Sequence, residues 1–154
     1  MNLEQRLAEL AIILPTSASA GAQYTPAVAF QNLVWISGQL PRDGERVVVS
    51  GKPGRDVSIA QAQEGARIAL LRALAALRET VGSLDKVQQI LKLNVFVNSS
   101  DDFTQHSAVA DGASELIFAL FGTEAGKHAR TSVGVAQLPR NACVELDLVV
   151  ALAP

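Results

Sequence analysis

Two runs of alternating side chains, separated by one proline-containing turn, constrain this chain more than any other feature. They lie between Lys127 and Leu152 and read KHARTSVGVAQLPRNACVELDLVVAL. In an extended strand, side chains point to opposite faces with a period of two. In the second run Val144, Leu146, Leu148 and Val150 therefore share one face, and Cys143, Glu145 and Asp147 share the other. In the first run Thr131, Val133 and Val135 lie opposite Arg130, Ser132 and Gly134. Leu138-Pro139-Arg140-Asn141 reads as a turn, so the runs are expected to pair as a hairpin. Matching their apolar faces sets Ser132 against Asp147 and Gly134 against Glu145, because a slip of one residue puts Val133 opposite Asp147. In that register Arg130 and Glu145 share a face. A guanidinium beside a carboxylate suits a small anionic ligand and a water. An ordinary surface salt bridge has the same spacing.

The rest of the chain supplies further strands and the helices that cover them. Leu3, Leu7, Leu10, Ile13 and Leu14 recur at helical spacing up to Pro15, which predicts a short helix over 2–12. Small residues at 16–23 form a linker. Strands are expected over 24–30 and 32–37, joined tightly at Gln31-Asn32. Ser37-Gly38-Gln39-Leu40-Pro41 ends the second, and Gly38 lets a ligand approach the main chain. Residues 42–56 read as a loop with a short edge strand, and Gly51-Lys52 lacks the spacing of a phosphate-binding loop. A long helix spans 58–81, with Ser58 as N-cap and Gly82 as stop. Its apolar stripe is Ile59, Ala62, Ala66, Leu70, Ala73, Leu77 and Val81. Glu64, Arg67, Arg72, Arg78 and Glu79 are assigned to a solvated face. A turn and an interior strand follow over 84–98. A second helix over 99–121 is capped by Ser99 or Ser100, weakened in its middle by Gly112 and ended by Gly122. His106, with no second ligand nearby, makes a poor metal site. His128 stands two residues before Arg130, where it serves either a site or the packing of a strand start.

At 154 residues and 49% apolar composition, the chain has enough material for one domain with a proper core. The net charge of −2 and the lack of any basic run argue against a nucleic-acid partner. Cys143 is the single cysteine, so no internal disulfide forms; its strand position suits a small core or interface residue and not a nucleophile. No apolar run reaches the roughly 18 residues that mark a membrane span. The start lacks a secretory pattern, so a cytoplasmic location is expected. The predicted architecture is an α+β sandwich, one mixed sheet with two helices on one face. The other face, carrying Arg130, Ser132, Glu145 and Asp147, must meet water or another subunit.

Tyr24, then Ile36-Ser37-Gly38-Gln39-Leu40-Pro41, then Val95-Phe96-Val97, then Ala129-Arg130-Thr131-Ser132-Val133 and Val144-Glu145-Leu146-Asp147 together form a recognisable pattern. It resembles the Rid, or YjgF-like, family of reactive-imine deaminases over roughly residues 24–152. The resemblance implies a chorismate-mutase-like fold and a homotrimer around a central barrel, with clefts between subunits. It implies residues 1–22 as an N-terminal helix and linker and 23–154 as the YjgF-like domain. The activity it implies is cofactor-free, metal-free hydrolysis of small 2-imino acids to 2-keto acids and ammonia. Arg130 matches the arginine that binds the substrate carboxylate, and Glu145 the acid that orients water. Tyr24, Ser37, Gly38 and Ser132 match positions lining the cleft. Ser132 stands where many members carry cysteine, and His128 where many carry proline. Two other functions fit the same sequence: a non-catalytic binder of small carboxylates, and the endoribonuclease or translation inhibitor that some relatives are labelled.

Overall fold

The computed structural model describes residues 2–16 and 23–154. The linker expected at 16–23 falls mostly outside them.

Five strands build the main sheet: β1 (Ala27–Phe30), β2 (Leu33–Gln39), β5 (Val87–Val97), β6 (Ala129–Gly134) and β7 (Val144–Leu152). β3 (Arg42–Asp43) and β4 (Arg46–Val47) form a separate small hairpin. The sheet order is β1-β2-β7-β5-β6. β2 runs antiparallel to β1 and β7, β7 antiparallel to β5, and β5 parallel to β6, so the sheet is mixed as expected.

The expected pairing of the last two strands does not form. β5 lies between β6 and β7 and bonds to both. The reason is local. The 3-10 turn at Pro139–Asn141 does not close a hairpin. Its Asn141 carbonyl accepts from Gly51, Val135 N–H donates to Val97, and Asn98 N–H donates to Cys143. The connection thus passes over the end of β5. β5 buries Leu93, Val95 and Val97 on the helix face and takes a neighbour on each edge, which satisfies its backbone groups on both sides.

Helices α2 (Ile59–Val81) and α3 (His106–Ala125) pack on each other and on one face of the sheet. α2 starts at a full capping box, Ser58 with Gln61, and ends at Gly82 in the left-handed conformation. Leu70, Leu74, Leu77, Leu93, Leu146, Leu148, Val95 and Ile117 make the centre of the core. Two glycines permit the close packing. A Cβ on Gly65 would meet Cys143 Sγ, and a Cβ on Gly112 would run into the Gln63 backbone at the α2–α3 crossing.

Two helix expectations change. α3 begins at His106 and not near 99, because Ser100 N–H is drawn to the Pro53 carbonyl and Phe103 packs against the core. Arg72 is buried, not solvated: the segment before α2 covers it, and its Nη1 donates to the Arg42 carbonyl at 3.3 Å. Burial, and then the Arg42 charge, lower its proton affinity.

The first helix, α1 (Leu3–Glu9), packs against α3 and the 3-10 turn at Leu84–Lys86. Leu3 N–H donates to Asp85 and Arg6 Nε to the Ala119 carbonyl, and Leu3, Leu7 and Leu14 are buried. Among the described residues no helix is long and apolar enough to cross a membrane.

Candidate active site

Strand register decides where each candidate side chain lies. Residues paired across neighbouring strands share a face. Arg130 pairs with Leu93, and Leu93 with Leu148, so Arg130 lies on the helix face. Ser132 pairs with Val95 and lies there too. Glu145 pairs with Phe96, and Phe96 with Val133, on the open face. The shared polar face expected for Arg130 and Glu145 is therefore absent within one chain. The two residues stand on opposite faces with β5 between their strands.

Around Arg130, α3 contributes a stripe spaced by one helical turn and then by three residues: Ser107, Asp111 and Ser114. Arg130 Nη1 donates to Asp111 Oδ1 at 2.7 Å and to Ser114 Oγ at 3.1 Å. Nη2 donates to the Ser107 carbonyl at 3.5 Å. A guanidinium has five N–H donors, so Nε–H and one Nη2–H remain uncommitted among the described residues. The Arg130 side chain is 23% exposed, so it is held but reachable. Behind it, His128 Nδ1 donates to the Gly126 carbonyl at 2.6 Å, which leaves Nε2 to accept from the Ser114 hydroxyl at 2.9 Å. Ser107, Asp111 and Ser114 escaped the sequence reading, although their helical spacing was there to be seen.

Glu145 has different company. A bulge in β2 between Ile36 and Gln39 carries Ser37 and Gly38. A Cβ on Gly38 would run into the Glu145 carboxylate, so a larger residue there would push that side chain from its present place. Ser37 Oγ donates to the Thr25 carbonyl at 2.6 Å, which ties the bulge to the segment holding the exposed Tyr24. Burial, and then the negative charge of Asp147, raise the Glu145 pKa. Asp147 itself accepts from Asn94 Nδ2 at 2.7 Å.

The candidates thus fall into two groups: Tyr24, Ser37, Gly38 and Glu145 toward the β1–β2 side, and Arg130 and Ser132 on the β6 edge. A surface groove of about 420 Å³ between α1, the turn at 84–86 and the end of α3 contains neither group. No cluster of metal-ligating residues occurs among the described residues. Lys52 is a structural tie, donating to Asn98 and to the Ala136 carbonyl.

The YjgF/chorismate mutase-like family model, which also carries an endoribonuclease label, matches residues 4–152. The chain belongs to this family. The match includes α1 as well as the sheet and its helices. Protein TCP17 of Trypanosoma cruzi is 42% identical over 95% of this chain and 91% of its own. A Dermatophagoides farinae protein named 2-iminobutanoate/2-iminopropanoate deaminase is 29% identical over 92% of this chain and 94% of its own. A crystal structure of a Shewanella oneidensis MR-1 protein bearing an endoribonuclease label superimposes with a TM-score of 0.94 at 30% identity, covering 99% of this chain and all of that one. Family membership leaves the two groups of site residues where the register places them, on separate parts of one protomer.

Proposed function

We propose that the protein hydrolyses small 2-imino acids of the 2-iminopropanoate and 2-iminobutanoate type to 2-keto acids and ammonia. Arg130 binds the substrate carboxylate, and Glu145 orients the attacking water. The observation that carries this reading is the state of Arg130. Three acceptors on α3 fix the guanidinium while Nε–H and one Nη2–H stay free for a carboxylate. The relative named as a deaminase supports the same chemistry.

The reaction asks little of the protein beyond positioning, because an imine carbon is already electrophilic. Water adds to that carbon and gives a proton to Glu145, whose raised pKa suits a base of moderate strength. That proton passes to the nitrogen to give a carbinolamine; its hydroxyl proton then follows to the nitrogen by the same route, and the C–N bond breaks to release ammonia as the C=O bond forms. Ser37 and Gly38 shape the wall beside Glu145, and Tyr24 and Ser132 line the cleft. These steps need no cofactor or metal.

Arg130 and Glu145 work together only if one protomer's β6 edge meets the β1–β2 side of another. The open face supports such an assembly, since Val28, Phe30, Trp35 and Val133 leave apolar surface exposed on it. A homotrimer, with three sheets around a barrel and one cleft at each junction, meets both demands.

Charge argues against the endoribonuclease reading. The chain carries a net charge of −2, and both histidines are engaged, His106 with Ser99 and His128 with Ser114 and Gly126. The test is a competition: an amino-acid oxidase generates imines, semicarbazide traps them, and added protein competes with the trap. Wild type should reduce trapping at least a hundredfold more efficiently than Arg130→Ala. Equal competition by both proteins would overturn the role given to Arg130.

A further inference from the structure

The arginine assigned to the substrate carboxylate already has an acidic partner. Asp111 Oδ1 lies 2.7 Å from Arg130 Nη1, and the Asp111 side chain is 49% exposed. Holding the guanidinium in place does not require a charge, because Ser114 Oγ and the Ser107 carbonyl also accept from it. What the carboxylate adds is electrostatic: it makes the Arg130–Asp111 pair neutral as a whole. A ligand carboxylate on the free Nε/Nη2 edge then sits across one guanidinium from a fixed negative charge.

We infer that Asp111 is a specificity-determining residue that admits monocarboxylates and excludes ligands bearing a second carboxylate. The inference rests on the reading of Arg130 as carboxylate anchor. A monoanion still gains two charge-assisted hydrogen bonds at the fork. A dianion gains the same two bonds but also brings a second negative charge into a site where Asp111 already supplies one. At a separation on the order of 6 Å, partly screened, one such like-charge contact costs roughly a factor of ten in affinity. Imino and keto acids with short neutral side chains pass; those derived from acidic amino acids do not.

Binding of 2-oxobutanoate and of 2-oxoglutarate, measured by calorimetry, tests this without any need for turnover. Wild type should favour 2-oxobutanoate. Asp111→Asn keeps an oxygen acceptor for Nη1 and removes the charge, so it should improve 2-oxoglutarate binding about tenfold more than 2-oxobutanoate binding. Asp111→Ser, which also removes the charge, should shift the ratio the same way, and Asp111→Glu should keep the wild-type ratio. If Asp111→Asn changes both affinities by one factor, Asp111 only pins Arg130 and the inference fails alone. If Arg130→Ala binds both keto acids as wild type does, or wild type binds neither, the anchor reading fails and the inference falls with it.

Discussion

Glu145 is a carboxyl that folding makes harder to ionise. Burial and the neighbouring Asp147 raise its pKa in the folded chain, whereas the unfolded chain keeps the ordinary value of about 4.3. Between those two values the folded state holds more protons than the unfolded state, so stability falls as pH rises. The stability associated with the protonated form is fully present below about pH 4.3 and is lost as pH passes through the raised folded value. Glu145→Gln lacks this proton linkage. Thermal unfolding of both proteins across a pH series should show the variant gaining on wild type as pH rises above about 4.3, then levelling off. A constant difference at all pH values would mean that Glu145 is not strained by its surroundings. Arg130 is held by geometry: its guanidinium donates to Asp111, to Ser114 and to the Ser107 carbonyl.

At the scale of elements, the tight point is the crossing of α2 and α3. Gly112 lies against the Gln63 backbone, and Gln63 Nε2 donates to the Ala108 carbonyl at 2.8 Å across the same contact. Ala normally favours a helix over Gly by up to about 1 kcal/mol, but overpacking such a contact costs roughly 1–3 kcal/mol. Gly112→Ala should therefore lower stability by roughly 1–2 kcal/mol in urea unfolding. A more stable variant would show that the helices are free to separate there. The sequence made α2 legible from end to end, because Ser58, Gly82 and the apolar stripe are local signals. The strand positions of Arg130 and Glu145 were legible for the same reason. Which strands pair was not, because that depends on the loop over 135–143 bonding to Gly51, Val97 and Asn98, far apart in sequence. A hairpin was the nearest pairing by sequence, and β5 displaced it. The burial of Arg72 was hidden likewise, since the segment that covers it comes from outside its own helix.

For the molecule as a whole, the unpaired features agree with one another. One protomer carries the proposed carboxylate anchor, Arg130, on the β6 edge and the proposed base, Glu145, on the opposite face toward β2. The same protomer leaves Phe30 64% and Trp35 44% exposed on the open face. Packing copies together would cover that surface and join the two halves of the site in a single step. The most direct test mixes two inactive proteins, Arg130→Ala and Glu145→Gln, dissociates them and lets them reassemble. Each mixed assembly with a cleft between subunits contains some junctions where an intact Arg130 meets an intact Glu145. A site shared between subunits predicts that imine hydrolysis, absent from either variant alone, returns to a substantial fraction of the wild-type rate. Mixed assemblies that form but stay inactive would contradict it.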